Sequence, residues 1–304
     1  MTAPFRIGTR GSPLALVQAN MVRVRLIAAH GWADEHVEIV PIKTTGDRVQ
    51  DRALAEIGGK ALWTKELDRA LLDRDIDCAV HSMKDVETIR PTRIRIAAML
   101  PRADVRDKLI GAKTIAALAK GARVGTSSPR RAAQLLNLRP DLKILLFRGN
   151  VATRLAKLEA GEADATLLAA AGLDRLGQSD IGHAIDDLLP APAQGAVGIE
   201  VRADDKDACR IVDAIDHKPT WRCVMAERAL LAVLGADCHS PVAALAQIED
   251  DQLTIRAELL AEDGSDHITG DIISDGDDDA AAEALARDLL KRAPHAVAKL
   301  FAGP

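Results

Sequence analysis

The sequence predicts a mixed α/β protein: two α/β lobes, residues 1–99 with 196–216 and residues 104–190, followed by a smaller α+β unit at 219–304. Three observations carry this. Strand and helix signals alternate over the first hundred residues and again from about 123 to 169, the pattern of sheets covered by helices. Two short segments, Pro101-Arg102-Ala103-Asp104 and Pro190-Ala191-Pro192-Ala193, read as crossings between lobes. At 304 residues the chain is long enough for about two domains of roughly 150 residues, so its core needs no disulfide or metal staple.

Each element has a local reason. Arg6-Ile7-Gly8 reads as a strand end leading into Ser12-Pro13, an N-cap and first helical position, and then an apolar-periodic helix from Leu14 to about Ala29. Strands are expected at Val37–Thr44, Ile76–His81 and Arg93–Leu100, with a helix at Thr64–Asp73 where Leu67, Ala70 and Leu71 share a face. The second lobe restarts with strand Arg123–Gly125, cap Ser128-Pro129 and helix Arg130–Leu138. Strand Lys143–Phe147, helix Val151–Ala160 and strand Ala165–Ala169 follow. Strand Ala196–Val201 is expected to return to the first sheet, making a cleft-forming pair of lobes. The last unit reads as a helix at Trp221–Leu234, strands near Leu253–Leu260 and His267–Ser274, and a closing helix from about Asp279.

Composition narrows the function classes. Three Trp, three Phe and no Tyr leave almost no stacking platform for single-stranded nucleic acid, so no nucleic-acid partner is expected. The longest uncharged apolar run, Ala165–Leu173, is too short to span a bilayer, and residues 1–6 carry no apolar signal segment, so a cytoplasmic protein without membrane association is expected. Cys78, Cys209, Cys223 and Cys238 form no Cys-x-x-Cys pair, so no metal site is expected and the thiols are read as reduced. The net charge of −5 divides into +5 over residues 1–222 and −10 over 223–304, with 27 Arg against 13 Lys. Two readings stand: a compositional bias with an acidic, solvated tail, or a front two-thirds that handles anions through the bidentate arginine fork.

The positions of the basic residues bear on that choice. Gly8-Thr9-Arg10-Gly11-Ser12-Pro13 and Gly125-Thr126-Ser127-Ser128-Pro129-Arg130 form a near-repeat, each placing glycine at a strand end and hydroxyls at a helix N-terminus, where free N–H groups and the helix dipole favour an anion. The alternative is two ordinary caps. Arg148 follows a strand end, with Arg154 on the next helix, and Lys60 follows Gly58-Gly59; neither a P-loop nor a dinucleotide fingerprint is present. In His81-Ser82-Met83-Lys84-Asp85-Val86, Asp85 is placed to stabilise a cationic intermediate or move protons, or else to cap the turn with Lys84 as its partner. Cys238, on a turn beside His239, is a candidate nucleophile or an inert small residue.

Together, Arg6–Leu16, Gly58–Leu67, His81–Val86, Val124–Arg131, Leu146–Leu155, Gln194–Glu200 and the Cys238 turn resemble the porphobilinogen deaminase, or hydroxymethylbilane synthase, family. The resemblance is colinear from residue 6 to about 243. It implies two hinged lobes like those of periplasmic binding proteins, a third domain carrying the cofactor cysteine, and a monomer. The implied activity is a transferase of tetrapyrrole and haem biosynthesis that joins four porphobilinogen molecules head to tail, with release of ammonia, into linear hydroxymethylbilane. The implied primer is a covalent dipyrromethane cofactor, attached by a thioether to the residue matching Cys238. Carried over by position, the resemblance makes Asp85 catalytic. It assigns the cofactor to Cys238, Lys84, Ser82, Arg130, Arg131, Thr126, Ser127, Ser128, Arg154 and Lys60, and the substrate to Arg10, Ser12, Arg148, Arg175 and Gln194.

Several positions depart from the family's pattern. Ala236-Asp237 stands where paired glycines are common, and the added carboxylate would tend to raise the thiol's pKa. Ala193 replaces a common glycine and Trp63 a common phenylalanine. The competing class is a two-lobed carboxylate-binding sensor without chemistry, which explains the lobes and anion sites but not the joint presence of Asp85 and Cys238 in matched motifs.

Overall fold

The computed structural model describes residues 3–43 and 64–301. Its contacts divide the chain into two units, one of residues 1–103 and 196–221, the other of residues 104–195 and 222–304. Among the described residues there are three sheets, two of five strands and one of three, the fold class expected from the sequence.

The first unit holds β1 (Phe5–Arg10), α1 (Pro13–His30), β2 (Val37–Ile42), α2 (Lys65–Leu72), β3 (Cys78–Ser82), β4 (Ile94–Met99), β10 (Val197–Arg202) and α6 (Lys206–Asp213). Its strand order is β2-β1-β3-β10-β4. β1 runs parallel to β2 and β3, whereas the returning β10 is antiparallel to both β3 and β4. Pro41 is tolerated because β2 is an edge strand, where a missing donor breaks no ladder. α1 starts where Ser12 accepts a hydrogen bond from the Ala15 N–H at 3.3 Å and stops at Gly31, whose φ of 63° closes the last turn. Its Ala19, Val22 and Leu26 pack with Ile7, Val80 and Ile199 into an aliphatic core.

The second unit holds β5 (Asp107–Ile110), β6 (Arg123–Thr126), α3 (Pro129–Leu138), β7 (Lys143–Leu146), α4 (Val151–Glu159), β8 (Ala165–Ala169), α5 (Ala170–Arg175) and β9 (His183–Ile185), in the order β7-β6-β8-β5-β9. The same unit contains the antiparallel sheet β11 (Val242–Glu249), β12 (Gln252–Leu260) and β13 (His267–Ile273), with α8 (Asp278–Arg292) packed on it. α7 (Lys218–Leu234) carries the chain into this unit, and α9 (His295–Ala298) follows α8. The sequence reading omits β5, β9 and β11. The first two have only four and three residues, and β11 is alanine-rich, with too few branched or aromatic side chains to signal a strand.

Polar ties join the two sheets of the second unit. Gln134 donates to Glu258 at 2.7 Å and Asn137 to the Gly264 carbonyl at 3.0 Å. Glu227, fully buried, accepts from the backbone N–H of Ala193 at 2.5 Å with one oxygen and from that of Ala246 at 2.7 Å with the other. Ala193 itself sits at φ 61°, the left-handed region that disfavours a Cβ. Ala193→Gly is therefore expected to raise stability by about 0.5–1 kcal/mol, the strain relieved exceeding the entropy lost by adding a glycine. A higher urea midpoint at constant m-value checks it; an unchanged or lower midpoint rejects it.

Candidate active site

In the first unit, the N-terminus of α1, the end of β3 and the short 3-10 helix Met83–Asp85 line a pocket that opens to solvent. Arg10, Ser12, Gln18, His81, Ser82 and Asp85 face it. Ser82 is fixed from behind by Gln18, whose amide nitrogen donates to its hydroxyl at 2.8 Å. No side-chain hydrogen bond caps the 3-10 helix, and Asp85 lines the pocket. Lys84 is half-buried beside it. Gly8 carries no Cβ because Ile76 lies directly over it, which lets β1 end against the pocket wall. Lys60 and Trp63 lie outside the described residues.

The second unit repeats the device. Gly125 is covered by the Phe147 ring, Ser128 caps α3 by accepting from the Arg131 N–H at 3.4 Å, and the buried Thr126 hydroxyl accepts from the Ser128 N–H at 3.1 Å. Arg154 donates to the Ser127 hydroxyl and to the Gly149 carbonyl, each at 3.1 Å, which gathers β6, the loop after β7 and α4 at one place. Asn150 caps α4 by accepting from the Thr153 N–H.

Arg130 and Arg131, assigned to the cofactor by the resemblance, sit at the start of α3. Both are buried, and both converge on Asp107, Arg130 at 2.8 Å and Arg131 at 2.7 Å. Arg131 also donates to the Leu167 carbonyl, Arg130 to Gln134 and the Leu189 carbonyl, and Gln194 to Asp107 and the Val105 carbonyl. Burial alone would push the Asp107 carboxyl up, but the charges and hydrogen bonds of Arg131 and Arg130 hold it well below the usual carboxylate range. Glu258, which accepts from Gln134, adds a second negative charge near Arg130. Sequence reasoning missed Asp107 because its partners lie more than twenty residues away, and no local spacing signals such a pair.

The second unit also has open donors. Arg130 Nε, Arg148 Nη1 and Arg175 Nε are buried nitrogens without a hydrogen-bond partner among the described residues. Arg175 gives one bond, to the Gly195 carbonyl at 2.6 Å, and burial lowers its guanidinium pKa with only Asp174 opposing. Buried donors left unmade are expensive, and a ligand carboxylate satisfies them.

Cys238 lies on the turn between α7 and β11, exposed and outside any disulfide. The departure before it is accommodated without strain. Ala236 is buried in the α7–β11–α8 core, and the Asp237 carboxylate accepts from the His239 N–H at 2.9 Å, making the turn that glycines would otherwise make. Neither residue has a positive φ.

The first unit carries a pocket carboxylate, and the second carries buried arginine nitrogens and an exposed thiol. Residues 5–210 match the family model described as porphobilinogen deaminase, dipyromethane cofactor binding domain, and residues 221–293 match the porphobilinogen deaminase C-terminal domain. The chain belongs to the porphobilinogen deaminase family. It is 60% identical to the porphobilinogen deaminase of Sphingopyxis alaskensis, over 98% of this chain and 97% of that one, and 52% identical to that of Paracoccus denitrificans, over 96% and 95%. Among solved structures it is similar to the methionine-binding protein MetQ, at 14% identity and a TM-score of 0.44 over 72% of this chain and 92% of that one. A periplasmic substrate-binding protein from Coxiella burnetii matches at 16% identity and a TM-score of 0.42, over 73% and 94%.

The residues fit the family's cofactor. A dipyrromethane carries carboxylates on each ring and needs a thiol anchor; open arginine N–H groups and the exposed Cys238 answer both needs.

Proposed function

We propose that this chain polymerises four porphobilinogen molecules head to tail into hydroxymethylbilane, releasing one ammonia per step. Membership of the family, over both of its domains, is the observation that carries the reading. It does not favour a sensor without chemistry. Bound at Cys238, a dipyrromethane supplies a primer on which the chain is built.

The residues take these roles. Loss of ammonia from the aminomethyl group of porphobilinogen leaves a cation delocalised onto the pyrrole nitrogen. Asp85 accepts that nitrogen's N–H and opposes the developing charge. Ser82 and Lys84 flank Asp85, and Arg10 and Ser12 bind a substrate carboxylate at the N-terminus of α1. In the second unit, Arg148 and Arg175 bind carboxylates of the growing chain, and Gln194 fixes the segment after the second crossing. Thr126, Ser127, Ser128 and Arg154 hold the cofactor's carboxylates. Arg130 contributes its open Nε to the cofactor's carboxylates and Arg131 sits beside it, with Asp107 fixing both. Lys60 is assigned to the cofactor by its motif alone. We further propose a cytoplasmic monomer that binds neither nucleic acid nor membrane; among the described residues no helix is long and apolar enough to cross a bilayer.

Intact mass tests the reading. The purified protein is expected to exceed its polypeptide mass by one dipyrromethane, and Cys238→Ser to lose that excess. A bare mass that stays bare after incubation with porphobilinogen rejects it.

A further inference from the structure

His81 opens the motif that contains Asp85, yet the roles above leave it unused. It sits on β3 opposite Gly198 of β10, is 6% exposed, and lines the same pocket as Asp85 and Arg10. Its Nε2 lies 3.1 Å from Oε2 of Glu200, a β10 carboxylate with no exposure at all. Glu200 is held in turn by Arg90, whose Nε reaches Oε1 at 2.7 Å and whose Nη2 reaches Oε2 at 2.9 Å. The same guanidinium bonds Asp68 of α2 at 2.5 Å and Glu87 at 2.9 Å. Three carboxylates thus surround one arginine.

Arg90 alone already satisfies both oxygens of Glu200, so neutralising Glu200 does not by itself call for a histidine. Nε2 faces Glu200 at salt-bridge distance but makes no hydrogen bond of good geometry to a described residue, and the ring lines the pocket. A ring nitrogen open to the substrate and backed by a fixed carboxylate is the arrangement of a general base.

Resting on the function proposed above, we infer that His81 is the base that removes the α-proton in each condensation, and that Glu200, fixed by Arg90, is its positioning residue. Forming the C–C bond between the methylene of one porphobilinogen and the free α-carbon of the pyrrole it joins leaves that α-carbon tetrahedral, with one hydrogen. The C–H bond then breaks, its electron pair returns to the ring, and the proton goes to Nδ1 of the neutral imidazole. Glu200 opposes the imidazolium charge, and the proton leaves with the released ammonia as ammonium. Asp85 keeps its separate task at the pyrrole nitrogen.

The test uses wild type, His81→Asn and Glu200→Gln, each with cofactor load verified by intact mass. His81→Asn is expected to lose about 10²–10³ in kcat with KM within about twofold, and to regain part of it with added imidazole. It is also expected to show a primary isotope effect with porphobilinogen deuterated at the free α-carbon that is larger than the wild type's. Glu200→Gln removes the charge that opposes the imidazolium and is expected to lose about tenfold in kcat with KM within about twofold. His81→Asn turning over like wild type, or Glu200→Gln with an unchanged kcat, overturns this proposal alone. A wild type that does not convert porphobilinogen overturns the functional reading as well.

Discussion

Asp85→Asn is expected to lower kcat by about 10²–10³, with a circular dichroism spectrum and thermal midpoint close to wild type. The amide keeps the shape of the carboxylate but not its charge, and the charge is what opposes a cation forming on the pyrrole nitrogen. The structure makes the substitution clean. Asp85 lines the pocket, and no side-chain hydrogen bond caps its 3-10 helix, so little of the fold depends on it. Single-turnover formation of bilane measures the loss, and an unchanged rate removes Asp85 from the chemistry.

The largest stability effect is expected at Asp107. Asp107→Ala leaves Arg130 and Arg131 buried side by side without the carboxylate that pairs both, and is expected to destabilise the second unit by about 3–5 kcal/mol, read as a lower urea midpoint. The pH dependence follows from the depressed carboxyl pKa. Its contribution is fully present above the ordinary carboxylate pKa of about 4 and is lost as pH falls toward the folded-state value. The stability gap between wild type and Asp107→Asn is therefore expected to narrow as pH drops below about 4. A gap that stays constant to pH 3 would contradict the assignment.

What the sequence made legible was mostly local. Ser12-Pro13 and Ser128-Pro129 announce helix starts through a hydroxyl cap and a preset φ, and both helices begin at those prolines. The motif around Asp85 is contiguous, so its strand and turn were readable together. The groups that tune the chemistry were not. Glu200 meets Arg90 across 110 positions, and Asp107 meets Arg131 across 24; those pairings exist only once the sheets are assembled. Arg130 and Arg131 show the limit most sharply. Their motif marks them as ligand residues; that most of their donors also go to Asp107, Gln134 and backbone carbonyls is visible only in the assembled fold. Ala236-Asp237 looked disruptive in sequence because the buried methyl and the side-chain-made turn that accommodate it are visible only in three dimensions.

The position of β10 between β3 and β4 has a consequence for synthesis. A ribosome delivers β1 to β4 first and then the whole stretch to residue 195 before the strand that separates β3 from β4 emerges. Until then the nascent first unit has an incomplete sheet, with the β3 and β4 edges exposed and Glu200 not yet there to meet His81 and Arg90. The buried charge cluster is thus among the last parts of that unit to be made. A chain stalled before residue 202 presents two unpaired β edges, a surface that invites chaperones and aggregation alike.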